Sequence, residues 1–192
     1  MSSNSEILAQ IIKNRRSVFT DSYIEKEIPR EVIEQILESA NYAPTHKLTQ
    51  PWRFTVIRKT AKIKLGEELA TLYKNTVAPE KFLQKKYDSL VLKTQKADCI
   101  LALNVQYHPD KLPAWEELAS MACAVQNMAL TAESLNVGAY WSSPGMIEHL
   151  GEFLELKENE KCYGLFYMGY HNEQPREANR TPIAEKVTWM EG

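Results

Sequence analysis

The stretch Cys99–Val105 reads CILALNV, and only Asn104 in it is polar. A strand presents alternate residues to opposite faces, so a run that is apolar on both parities has to be covered on both sides. Polar residues (Asp98 and Gln106) bound it, as expected of a short buried strand rather than a long helix. A chain with such a strand must place it centrally in a sheet and supply helices to cover it. After a loop over 106–113, Ala114–Asn136 provides the longest regular element. Leu118, Ala122, Val125, Ala129, Ala132 and Leu135 recur on one helical face, with Met121 and Met128 beside them. Many small residues on that stripe let helices approach closely, and the Ala/Met pattern is packing rather than a cofactor box.

The remaining elements follow from the same two periodicities. Ile7, Leu8, Ile11 and Ile12 predict a short amphipathic helix over 5–14. Val32, Ile33, Ile36, Leu37 and Ala40 predict a second, with Pro29 at its first position. Arg53–Ile57 alternates as a strand, and 60–73 is helical. The stretch 74–96, lysine-rich and broken by Pro79, predicts a mobile helical excursion over the surface. Gly138 is placed to close the long helix as its left-handed C-terminal residue. A short strand into a turn (139–145), a helix (146–156), a strand (163–170) and a polar tail (171–192) complete the order. Val187 and Trp189 are apolar anchors in that tail and predict docking, for example on a second subunit. Interspersed strands and helices, with helices clustered early, indicate an α+β class, read as one domain over 1–192.

The chain has 192 residues, 44% hydrophobic and 25% charged, with a net charge of −2. That balance argues against a nucleic-acid-binding protein. Cys99, Cys123 and Cys162 lie far apart in apolar surroundings without C-x-x-C spacing, and read as reduced core thiols of an intracellular protein. No signal-peptide pattern opens the chain, and no apolar run approaches the roughly 20 residues that span a bilayer. The expectation is a cytoplasmic protein with no membrane partner. A dinucleotide G-x-G-x-x-G, a P-loop, H-E-x-x-H and G-x-S-x-G are all absent, and the four histidines show no ligand spacing, so no metal site is expected.

Two stretches carry candidate chemistry. Arg15-Arg16-Ser17 follows the first helix directly. Two guanidiniums and a hydroxyl suit a phosphate or another oxyanion, although a solvated basic helix end reads the same. The loop 42–52 (YAPTHKLTQPW) holds an imidazole, an amine, an amide and a stacking aromatic, stiffened by Pro44 and Pro51. It is either a binding loop or an ordinary helix-to-strand connection.

Taken in order, Arg15-Arg16-Ser17, Ala43-Pro44-Thr45-His46-Lys47 with Gln50-Pro51-Trp52, Trp141-Ser142-Ser143, and Arg180-Thr181-Pro182 with Glu185 and Val187 resemble the flavin-dependent nitroreductase family. The resemblance covers essentially the whole chain and is closest to the small single-domain bacterial members. It implies an α+β sandwich with a mostly antiparallel sheet, a homodimer, and FMN bound without covalent attachment at the subunit interface. By position, Arg15, Arg16 and Ser17 would meet the FMN phosphate and ribityl chain, with Arg180 a second phosphate ligand. Tyr42 and His46 would reach the flavin from the partner subunit, and Trp141, Ser142 and Ser143 would line its ring. No protein nucleophile is implied, because the flavin carries the chemistry. The implied activity is ping-pong: hydride from NADH or NADPH, then electrons to a nitroaromatic, quinone or similar electron-poor acceptor. The same fold could instead reduce enones or other acceptors, or store flavin without turnover. Tyr42 and Ser142 stand where relatives often carry a basic residue, which leaves the acceptor class open.

Overall fold

The apolar run forms β2 (Cys99–Gln106), buried from Cys99 through Val105. A computed structural model describes residues 3–192. β2 lies between β1 (Trp52–Arg58) and β4 (Glu160–Tyr170), and β3 (Val137–Ser142) pairs with the other side of β4. The order is β1-β2-β4-β3, and each pairing is antiparallel. Phe54 faces Leu103, Leu101 faces Phe166, and Tyr140 faces Tyr167 across the ladders.

Alternation along β2 divides the core. Leu101, Leu103 and Val105 join Ile33 and Ile36 of α2 (Arg30–Ala40) and Met121, Val125 and Met128 of α5 (Ala114–Ser134) on one face. Ile100 and Ala102 join Leu65, Leu69 and Tyr73 of α3 (Thr60–Thr76) on the other, with Met146, Leu150 and Leu154. Each fully buried side chain of this size contributes about 1.5–3 kcal/mol. This is the α+β arrangement expected, with a sheet covered on both faces.

The differences have local causes. Residues 74–96 are helical beyond the break at Pro79, as expected, but they pack instead of standing off: after a turn at Pro79–Lys81, α4 (Gln84–Lys96) lies along α3 with Thr94 buried. Its lysines face solvent, and Gly66 of α3 lets the two backbones close up. α5 buries the face centred on Met121, Val125, Met128 and Ala132, while Ala122 turns outward. The left-handed residue after α5 is Asn136 (φ 56°), and Gly138 lies inside β3. Gly138 is needed for space, since a Cβ there would sit 2.8 Å from Val18 Cγ1 and 2.7 Å from His171. Pro29 stands one residue before α2 as its N-cap. The region 146–156 folds as a short turn at Ile147–His149 and further turns, with Glu155 left-handed (φ 53°), so Met146, Leu150 and Leu154 are buried without a full helix. Cys99 and Cys162 are buried as expected, but Cys123 is exposed on the outer side of α5.

α1 (Asn4–Asn14) starts at a capping box between Ser3 and Glu6 and buries no residue; Ile7, Leu8 and Ile12 are half exposed. The tail anchors behave alike: Val187 and Trp189 are 43% and 80% exposed on their own chain. Among the described residues no helix is long and apolar enough to cross a membrane.

Candidate functional site: a cluster of guanidiniums along one sheet edge

α1 ends at Arg15, whose backbone turns extended (φ −52°, ψ 123°) and sends the chain along the open side of β3. Ser17 bridges to Ala139, and the Val18 amide donates to the Ala139 carbonyl at 3.2 Å. Arg16 is fixed by the helix it has just left. Its Nη1 donates to the carbonyls of Lys13 (2.6 Å) and Arg15 (2.9 Å), which α1 itself leaves without partners. The Arg16 Nε is buried and has no protein partner. A buried charged donor without an acceptor is costly unless something else supplies one.

The chain beyond β4 folds back over this segment. Asn172 donates to the Ser22 carbonyl (3.3 Å), and Ser22 Oγ donates to Glu173 (3.2 Å). Arg176 then donates through Nη2 to the Ser17 carbonyl at 2.6 Å, while its Nε meets Glu173 at 3.2 Å. The return brings Arg176 and Arg180 against Arg15 and Arg16, around a cleft of about 720 Å³ that Ile12 and Lys13 also line. A smaller cavity of about 310 Å³ adjoins it, sharing Arg16 and Arg176. Four guanidiniums and an ammonium, against the one carboxylate of Glu177, leave the cleft strongly cationic and suited to a dense anion such as a phosphate.

Two residues beyond Ala139, Trp141 stands on the same strand. Its indole N–H donates to the Tyr163 carbonyl at 3.1 Å, and the ring lies on Gly164, where any Cβ would strike the indole. Ser142 ends β3, and Ser143 is exposed in the following turn. Behind them Tyr140 stacks on Tyr167 (5.0 Å between centroids), and burial pushes the Tyr140 hydroxyl up to about 12. The edge therefore carries cationic groups at one end and a flat aromatic with a polar turn at the other.

The loop 42–50 stands apart. His46 Nδ1 pairs with Glu116 at 2.6 Å, and Lys47 Nζ donates to the Lys111 carbonyl at 2.8 Å. Tyr42 is 79% exposed. His46 lines a separate open groove of about 540 Å³ with Pro44, Thr45, Trp115, Ala119 and Cys123. This groove and the guanidinium cleft share no lining residue. Within one chain, then, Arg15, Arg16 and Arg180 come together, with Ser17 beside them leading to Trp141, whereas Tyr42 and His46 do not join them. Sequence reasoning missed Arg176 and Glu116. The pair Glu116-Glu117 was legible only as an acidic helix start, and Arg176 only as one more polar tail residue. Among the described residues no group of acids, cysteines and histidines could hold a metal.

The model of the Nitroreductase family matches residues 12–170. This chain belongs to the nitroreductase family. Along nearly its full length, this family member is 27% identical over 187 residues to YfhC of Bacillus subtilis (strain 168), provisionally named an NAD(P)H nitroreductase, covering 96% of this chain and 94% of YfhC. A nitroreductase-like family protein from Bacillus cereus superposes with a TM-score of 0.84 at 25% identity, covering 100% of both chains. A nitroreductase from Bacteroides fragilis NCTC 9343, solved with bound FMN, superposes at 0.74 with 26% identity, covering 99% of this chain and 100% of that one. The guanidinium cleft lies at the junction of the N-terminal helix and the returning tail.

Proposed function

We propose that this nitroreductase-family chain is an FMN-dependent oxidoreductase that uses NADH or NADPH to reduce nitroaromatics, quinones or similar electron-poor acceptors. The observation that carries the reading is the cleft between Arg15, Arg16, Arg176 and Arg180, with the buried Arg16 Nε lacking any protein acceptor. A phosphate oxygen is the acceptor that nitrogen needs, and charge-assisted bonds of this kind are among the strong ones. FMN, when bound, supplies the redox chemistry, accepting hydride from the nicotinamide and then releasing electrons to the acceptor in ping-pong order.

The chain's own groups would hold and shape the site. Arg15, Arg16, Arg176 and Arg180 would grip the phosphate. Ser17, in line with β3, would follow the ribityl chain, and Trp141, Ser142 and Ser143 would border the ring. Tyr42 and His46, on their separate loop, would complete the site of a second copy, making the working unit a homodimer. The exposed apolar side chains of α1 and of the tail support that assembly, since they have nothing to cover them here. The buried thiols Cys99 and Cys162 support a cytoplasmic setting.

The deciding experiment is the visible spectrum of the purified protein, recorded anaerobically before and after NADH or NADPH. A flavin band that bleaches with either donor is the expected result. A band that neither bleaches would replace this reading with flavin storage. A colourless protein that ignores added FMN would overturn both.

A further inference from the structure

The loop 42–50 is held in an unfavourable backbone shape. Lys47, Leu48 and Gln50 all take positive φ (48°, 54° and 43°), and none is glycine. Each such residue is strained by its own Cβ, so the surroundings must hold the loop in place. Inside the loop, the Gln50 amide donates to Thr45 Oγ1 at 3.0 Å. Two side-chain ties reach out of it: Lys47 to the Lys111 carbonyl, and His46 to Glu116. Of these, only the second fixes a ring.

Glu116 lies in the first turn of α5, a helix whose N-cap, Pro113, makes no side-chain capping bond. The exposed amides there favour a negative charge, so the carboxylate is a firm acceptor. Its neighbour Glu117 anchors the other side of the turn, fully buried and accepting from His108 through both the backbone N–H (2.8 Å) and Nδ1 (2.7 Å). The helix start therefore holds two loops by two adjacent glutamates, each on a histidine. A carboxylate can only accept, so a bond from Glu116 to His46 Nδ1 requires the proton on Nδ1 in either charge state of the ring. The exposed remainder of the His46 ring, 59% accessible as a side chain, then presents Nε2 in one fixed direction.

We infer that Glu116 is the positioning residue for His46. It holds the imidazole in the Nδ1–H form so that Nε2 is aimed at the flavin of the assembled site. The role rests on the reading of His46 as a flavin-facing group. Glu116 touches no ligand itself and acts through the tautomer and orientation of the ring, as second-layer carboxylates do for other functional histidines.

The test uses the full-length protein with Glu116→Ala, Glu116→Gln, His46→Ala and the double substitution Glu116→Ala/His46→Ala. Two-bond proton–nitrogen NMR of the flavin-free protein reads the tautomer of His46, and fluorescence titration with FMN reads affinity. The wild type is expected to show Nδ1–H. Glu116→Ala should lose that form and weaken FMN binding about tenfold, the equivalent of about 1.4 kcal/mol. Glu116→Gln, whose amide oxygen still accepts, should restore the tautomer and most of the affinity. The double variant should bind no more weakly than His46→Ala alone, because a residue acting only through His46 has nothing left to act on. An Nε2–H wild type would overturn the inference, as would an Glu116→Ala variant that changes tautomer with FMN affinity intact. If no variant and no wild type bind FMN, the flavin reading falls by that arm, while the tautomer still reports on Glu116.

Discussion

Arg16 shows how one residue can close a helix and still keep a donor unspent. Its Nη1 closes the end of α1, while its buried Nε has no acceptor within the protein. Arg15 has no comparable internal duty, so Arg15→Ala should weaken FMN binding by about 1.5–3 kcal/mol, the range for a hydrogen bond to a charged group. Arg176→Ala should fall at the lower end, because Glu173 already shares its charge. Fluorescence titration against FMN measures both, and an unchanged affinity in Arg15→Ala would remove the anion-site reading. Gly164 offers a different residue-scale case. Gly164→Ala should push Trp141 off its seat and cost about 1–3 kcal/mol by overpacking, seen as a lower urea midpoint and a shifted tryptophan emission. A variant as stable as the wild type, with unchanged emission, would show that the indole has room to spare.

At the scale of elements, β2 and α5 were readable because each carries a signal that no alternative explains. β2 is apolar on both faces, and α5 is too long for anything but a helix. α4 was read as helical but not as packed, because its lysines mask a contact made by only a few residues, Thr94 chief among them. That contact depends on Gly66, which no local pattern marks. Gly66→Ala gains about 1 kcal/mol of helix propensity, but its Cβ would collide with Thr94 and sit 3.2 Å from the Val91 Cα. Overpacking of about 1–3 kcal/mol should prevail, lowering the denaturation midpoint, and adding Thr94→Ala should recover part of the loss. The guanidinium cleft was half legible. Arg15 and Arg16 stand together in sequence, but Arg176 reaches their neighbour Ser17 through the fold of the tail, a contact 159 residues apart that spacing cannot reveal. Glu116 was hidden for the same reason, since its partner is 70 residues away.

The molecule as a whole has an alkaline weakness. Burial pushes the thiols of Cys99 and Cys162 up to about 12 and about 11, from 9.0, and raises the hydroxyls of Tyr23 and Tyr167 well above their ordinary value. Above about pH 9 the unfolded chain releases protons that the folded chain retains, so it binds fewer protons and stability falls as pH rises. Each such group removes about 1.4 kcal/mol per pH unit until its folded value is reached. Urea unfolding at steps from pH 8 to 11 should show a steepening loss, and a flat profile would contradict the buried state of these groups. Over the same range Cys123 alone should react with a thiol reagent in the native protein, because it alone of the three is exposed.

The sheet order sets how late in synthesis the sheet can close. β4 is the latest strand in the chain, yet it lies between β2 and β3 and pairs with both. While the ribosome is still making residues 160–170, the β1–β2 pair and β3 have no strand to join them, and two bare edges wait in the cell. At 5–20 residues per second, that interval lasts on the order of seconds for the stretch from β2 to β4. A nascent chain stalled before β4 would therefore be a substrate for chaperones rather than a half-built enzyme.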